Sequence, residues 1–81
     1  MHKFLTVATV LKPQGIRGEI KVMPQTDSAE ALKDFTSVLI GDTKYKVLAC
    51  RAAGGYAFLT LRGIADRNAA ELLRGKEVLV D

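Results

Sequence analysis

Lys12-Pro13-Gln14-Gly15-Ile16-Arg17-Gly18-Glu19-Ile20-Lys21-Val22 joins a glycine-rich turn to a strand with one charged face. Proline fixes φ at position 13, and Gly15 and Gly18 can take the positive φ values of a tight reversal, so the backbone is shaped before side chains pack. From Arg17 onward the pattern has period two: Arg17, Glu19 and Lys21 share one side, and Ile16, Ile20 and Val22 the other. This predicts a turn over Lys12 to Gly15 and a half-buried strand over Gly18 to Met23. Pro24 ends its ladder by lacking a donor.

Outward from this hairpin, strand and turn signals recur along the whole chain. Phe4 to Leu11 is rich in aliphatic and β-branched residues, with Phe4, Thr6, Ala8 and Val10 alternating against Leu5, Val7, Thr9 and Leu11. Asp27 and Glu30 have capping-box spacing ahead of a short helix from Ser28 to Asp34, with Leu32 and Phe35 on one face. Val38 to Ile40 and Thr43 to Arg51, separated by Gly41-Asp42, read as one hairpin; Gly54-Gly55 turns the chain into a further strand, Tyr56 to Arg62. Asp66 can cap a helix running through Arg74, with Ala69, Leu72 and Leu73 on its packed face and Gly75 as its stop. Glu77 to Val80 returns to strand character. Six short strands and two short helices in 81 residues are best closed into a small antiparallel β-barrel, because an open sheet would leave edges exposed. The expected class is therefore all-β.

A chain of 81 residues that is 48% hydrophobic is one small domain with enough apolar material for a core. Twelve basic and nine acidic residues give a formal charge of +3, which favours an acidic partner only weakly. One cysteine, Cys50, and one histidine, His2, can build neither an internal disulfide nor a structural zinc site. With no spanning apolar run and no signal-peptide core, a cytoplasmic location away from membranes is expected.

The residues argue against catalysis. Gly15 and Gly18 resemble a phosphate loop only superficially, since no Gly-Lys-Ser/Thr follows and no helix begins at Gly18. Asp27 with Glu30, and Asp66 with Glu71, invite comparison with acid–base pairs, yet both aspartates sit where helix caps are wanted. Cys50 lacks any sign of a low-pKa nucleophile. The expectation is a binding domain that is not an enzyme and holds no cofactor or metal.

Lys12, Arg17 and Lys21 cluster in sequence, while Lys44, Lys46, Arg51 and Arg62 lie on neighbouring hairpins, so a shared basic patch and a solvated strand face both fit the pattern. Tyr56 and Phe58 invite comparison with base-stacking platforms, but their alternation equally suits a barrel wall. Packing suits Phe58 better; Tyr56 stands at a hairpin end.

Two segments in order, Lys12 to Val22 and Gly63-Ile64-Ala65-Asp66-Arg67-Asn68-Ala69-Ala70-Glu71-Leu72-Leu73-Arg74-Gly75, resemble the N-terminal domain of the RimM family of bacterial ribosome maturation factors. Gln25-Thr26-Asp27-Ser28 with its short helix fits the same pattern, so the resemblance covers essentially the whole chain. Family members often carry His where this chain has Gln14 and Gly where it has Ala8, and any role of that imidazole does not carry over.

The resemblance implies a six-stranded barrel like the second domain of translation elongation factors, followed beyond residue 81 by a PRC-type barrel. It further implies a non-catalytic assembly factor, expected as a monomer, that binds the immature small ribosomal subunit near its head and assists processing of 16S rRNA. The implied partners are that rRNA and small-subunit head protein nineteen, the latter mainly through the second barrel. Lys12, Arg17, Lys21 and Arg67 are the expected ribosome or RNA contacts; Gly15, Gly18, Asp66 and Gly75 are structural turn and cap residues. Two rivals are a general RNA-binding barrel with no assembly role and a flavin-binding type of split barrel, which would require a phosphate cradle that the sequence does not supply.

Overall fold

Ile20 and Val22 are wholly buried while Arg17 is exposed and Glu19 and Lys21 half-exposed, so the period-two pattern is realised as one wall of a barrel. The computed structural model describes residues 4–15, 17–25 and 29–80. Its strands are β1 (Leu5–Gln14), β2 (Glu19–Pro24), β3 (Ser37–Ile40), β4 (Thr43–Ala53), β5 (Tyr56–Leu61) and β6 (Glu77–Val80). They close into an antiparallel barrel in the order β1-β2-β5-β4-β3-β6. A 3-10 helix, Ala29–Asp34, links β2 to β3, and a short α-helix, α1 (Arg67–Glu71), links β5 to β6.

Closure gives every strand two neighbours and leaves the inward residues to fill the interior. Ile20, Ile40, Leu59, Leu61, Val10, Val22 and Val78 are each less than 2% exposed, and no polar or charged residue is buried among the described residues. The 3-10 helix packs against β4, β5 and β2, and α1 against β1 and β2. Leu32 from the former and Ala70 and Leu73 from the latter's region complete the core.

Several boundaries differ from the sequence reading. Lys12, Pro13 and Gln14 are strand residues, paired with Lys21, Ile20 and Glu19, so the reversal is confined to residues 15–18. Pro13 is tolerated within β1 because β6 pairs with that strand only as far as Thr9, leaving no ladder on that side to interrupt. Bulges between Thr6 and Ala8 and between Val10 and Lys12 break the simple alternation of β1, which is why Val7 and Ala8 are both buried.

The expected helix over Ser28 to Asp34 is a 3-10 helix over Ala29–Asp34; Ser28 and the expected cap Asp27 lie outside the described residues, as do Ile16 and His2. The helix expected from Asp66 through Arg74 stops at Glu71, and Leu72 is 76% exposed instead of packed. The reason is a tightening of the last turn: Leu73 N–H donates to Ala70 and Arg74 N–H to Glu71, both i to i−3. Three-residue spacing puts Ala70 and Leu73 on one side and turns Leu72 outward. Gly75, at φ +81°, ends the turn as expected.

Candidate functional site

The reversal at residues 15–18 and the start of α1 form one structural unit. Gly15 and Gly18 have φ of +74° and +82°, as the turn requires. Gly18 has a second constraint, because a Cβ there would overlap the Ile64 carbonyl oxygen and stand 3.0 Å from the Asp66 nitrogen. Asp66 is extended, and its Oδ1 accepts the Ala69 N–H at 2.8 Å, capping α1. Arg67 Nη1 reaches back to the Gly15 carbonyl at 3.5 Å. At the other end of the motif, Gly75 N–H donates to the Val10 carbonyl and Val10 N–H to that of Lys76, each at 2.8 Å.

The four basic residues expected as contacts fall into two groups on and beside this hairpin. Arg17 and Arg67 are exposed and border the turn. Lys12 and Lys21 face each other across β1 and β2 beyond the bulge, with Lys12 exposed and Lys21 half-buried. Lys21 leans away from Lys12 toward β5, where its Nζ lies 4.1 Å from the centre of the Tyr56 ring. Lys44 and Lys46 pair with β3, opposite Leu39 and Ser37, away from this hairpin.

The row through Lys12 and Lys21 continues to two residues outside the expected contact set. Lys21 is the register partner of Phe58, and Phe58 of Arg51, so Lys12, Lys21, Phe58 and Arg51 run side by side over four strands. Phe58 points outward, between the inward Ala57 and Leu59, yet is only 8% exposed. Arg51 covers it, with Cζ 4.2 Å from the ring centre. Phe58 is thus buried as expected for a packed residue, but on the outside of the wall and under a cation. The signal was available: Arg51 and Phe58 are equally far from Gly54-Gly55, and a hairpin with that two-residue turn must pair them.

Arg51 is held from the side as well. Its Nε and Nη2 donate to Glu19 Oε2 and Oε1 at 3.1 and 3.0 Å, and donating to that carboxylate raises the Arg51 pKa above its ordinary value. The Glu19 charge interleaved among the basic residues is therefore matched locally. Elsewhere, Arg74 hydrogen-bonds Glu71 and lowers its carboxyl pKa, while burial pushes the Cys50 thiol up. A cleft of about 240 Å³ over β3 and β6, lined by Phe4, Val38, Leu39, Lys44 and Leu79 among others, is mostly apolar. Among the described residues no group of His, Cys, Asp and Glu is placed to hold a metal, and no helix is long and apolar enough to cross a membrane.

The arrangement has counterparts among known proteins. Residues 5–81 match the family model described as the RimM N-terminal domain. A protein of Clostridium novyi named ribosome maturation factor RimM is 34% identical over 80 residues, covering 99% of this chain and 49% of that protein. The crystal structure of a putative 16S ribosomal RNA processing protein RimM from Pseudomonas aeruginosa superposes with a TM-score of 0.88 at 24% identity, over 98% of this chain and 51% of the other. The solution structure of the N-terminal domain of RimM from Thermus thermophilus gives 0.84 at 18% identity, over 99% of this chain and 91% of the other. These two structures share the fold, and the chain spans about half the length of the relatives it matches. With the family model matched over nearly every residue and both signature segments joined at Gly18 and Ile64, the chain belongs to the family of RimM N-terminal domains.

Proposed function

We propose that this barrel is the non-catalytic N-terminal domain of a ribosome maturation factor, and that it binds the immature small ribosomal subunit near its head through Lys12, Arg17, Lys21 and Arg67. The observation that carries the reading is the gathering of these four cations on and beside one hairpin of a domain whose relatives are named ribosome maturation factors. Phosphate oxygens of rRNA are the acceptors that such Lys and Arg side chains suit, and binding of this kind weakens with salt as counterions are released.

A factor of this type acts by selection. It shifts the subunit toward the state it binds better, by no more than its difference in affinity between the states, and leaves when the mature form removes its contacts. Rigid presentation of the cations serves that purpose: Gly18 against Ile64 and the Asp66 cap fix the corner, so little ordering cost falls on binding. In the reading adopted here a PRC-type barrel follows this domain and supplies most of the contact to small-subunit head protein nineteen, while this domain faces 16S rRNA and assists its processing. The factor works in the cytoplasm as a monomer and needs no cofactor.

Capture by free small subunits, free large subunits and translating ribosomes tests the reading. Preferential retention on free small subunits is expected, whereas equal retention on all three would make this a general RNA-binding barrel.

A further inference from the structure

Phe58, Arg51 and Glu19 form a layered arrangement on the outer wall. The Phe58 ring lies below, the Arg51 guanidinium carbon sits 4.2 Å above it, and Glu19 holds the guanidinium edge by two hydrogen bonds of 3.0 and 3.1 Å. The Arg51 side chain nevertheless stays 54% exposed. Glu19 takes only the Nε–H and one Nη2 N–H of Arg51, and guanidinium planes and aromatic rings are the surfaces on which unpaired nucleobases stack. Lys12 and Lys21 complete the same row, which spans roughly 14 Å at the usual strand spacing. Three cations and one carboxylate, which Arg51 pairs, leave the row net positive, so it suits a polyanion.

We infer that Arg51, seated on Phe58 and braced by Glu19, is a stacking shelf for an unpaired RNA base, with Lys12 and Lys21 holding the neighbouring phosphates. The inference rests on the reading of this domain as rRNA-facing and adds the class of target, a single-stranded segment. A duplex fits less well, because its base faces are already stacked and its deep major groove is closed to side chains. An acidic protein segment would use the three cations and the Arg51 N–H groups that Glu19 does not take, but would gain nothing from stacking on the guanidinium.

Binding of the 81-residue chain to a short fluorescein-labelled oligouridylate, an RNA duplex and an oligoglutamate peptide, read by anisotropy, tests the shelf. Arg51→Lys keeps the charge and loses the plane, and Phe58→Leu keeps the bulk and loses the ring. Each should weaken oligouridylate binding about fivefold or more with the salt slope unchanged. Arg51 lies on the exposed face, so Arg51→Lys remains informative if Phe58→Leu fails to fold by circular dichroism. Unchanged binding by Arg51→Lys, preference of the wild type for duplex or peptide, or no oligouridylate binding by the wild type would each overturn the inference. Capture on free small subunits separates the two ideas: retention that both substitutions leave intact removes the shelf alone, and failure of the wild type to be retained removes the ribosomal reading.

Discussion

Gly18 has no room for a side chain because the Ile64 carbonyl occupies the place of its missing Cβ. This one approach joins the two segments of sequence that mark the family, and it sets the position of Arg17 and Arg67 relative to the barrel wall. Gly15, in the same turn and also at positive φ, has nothing within 4 Å of such an atom.

Gly15→Ala should therefore cost only the backbone strain of a left-handed alanine, about 1–2 kcal/mol. Gly18→Ala should cost at least about 1 kcal/mol more, because the overlap falls on backbone that cannot rotate away. Urea denaturation of the two variants measures the difference, and equal losses would mean that the approach of Ile64 is not a constraint.

Asp66 caps α1 through its carboxylate. Asp66→Ala should lower stability by about 1 kcal/mol, and Asp66→Asn, which keeps an acceptor oxygen, by much less. The same variants test whether the corner is rigid in solution, since fraying at Asp66 should raise amide exchange at Ala69.

Leu72 and Leu73 are adjacent but have opposite surroundings, at 76% and 4% exposure. Leu73→Ala should destabilise by about 2–5 kcal/mol, while Leu72→Glu should stay within about 0.5 kcal/mol of the wild type. Comparable losses at both positions would restore the longer helix read from the sequence.

How far the sequence reached can be judged from such pairs. Strict alternation made β2 legible, and Gly41-Asp42 and Gly54-Gly55 placed both hairpins, because two-residue turns leave little freedom of register. The bulges of β1 and the tightening after Glu71 were not legible, since both depend on packing against distant segments: Val10 exchanges bonds with Gly75 and Lys76. The expected contacts Lys12 and Lys21 proved to be register partners, and Arg67 was brought to the turn. The sequence places Arg51 only in a possible shared basic patch, because its setting depends on a ring on the next strand and a carboxylate on the one beyond.

Cys50 is a half-buried thiol whose pKa is raised, foremost by burial. Its folded pKa exceeds its unfolded one, so the stability linked to this proton is fully present below the unfolded value and is lost as pH rises through the folded value. Alkylation by iodoacetamide at neutral pH should accordingly be slower than for a free thiol and should accelerate only at alkaline pH. A rate equal to that of free cysteine at pH 7 would contradict this environment.

The central claim is that the hairpin from Lys12 to Lys21 faces the ribosome, and it is tested most directly by the affinity of the full protein for immature small subunits across a salt series. Arg17→Glu with Lys21→Glu should weaken binding roughly tenfold or more at low salt and make the dependence of log affinity on log salt shallower by about 1.5, the share of two lost phosphate contacts. Affinity and slope both equal to the wild type would show that this face does not touch the subunit.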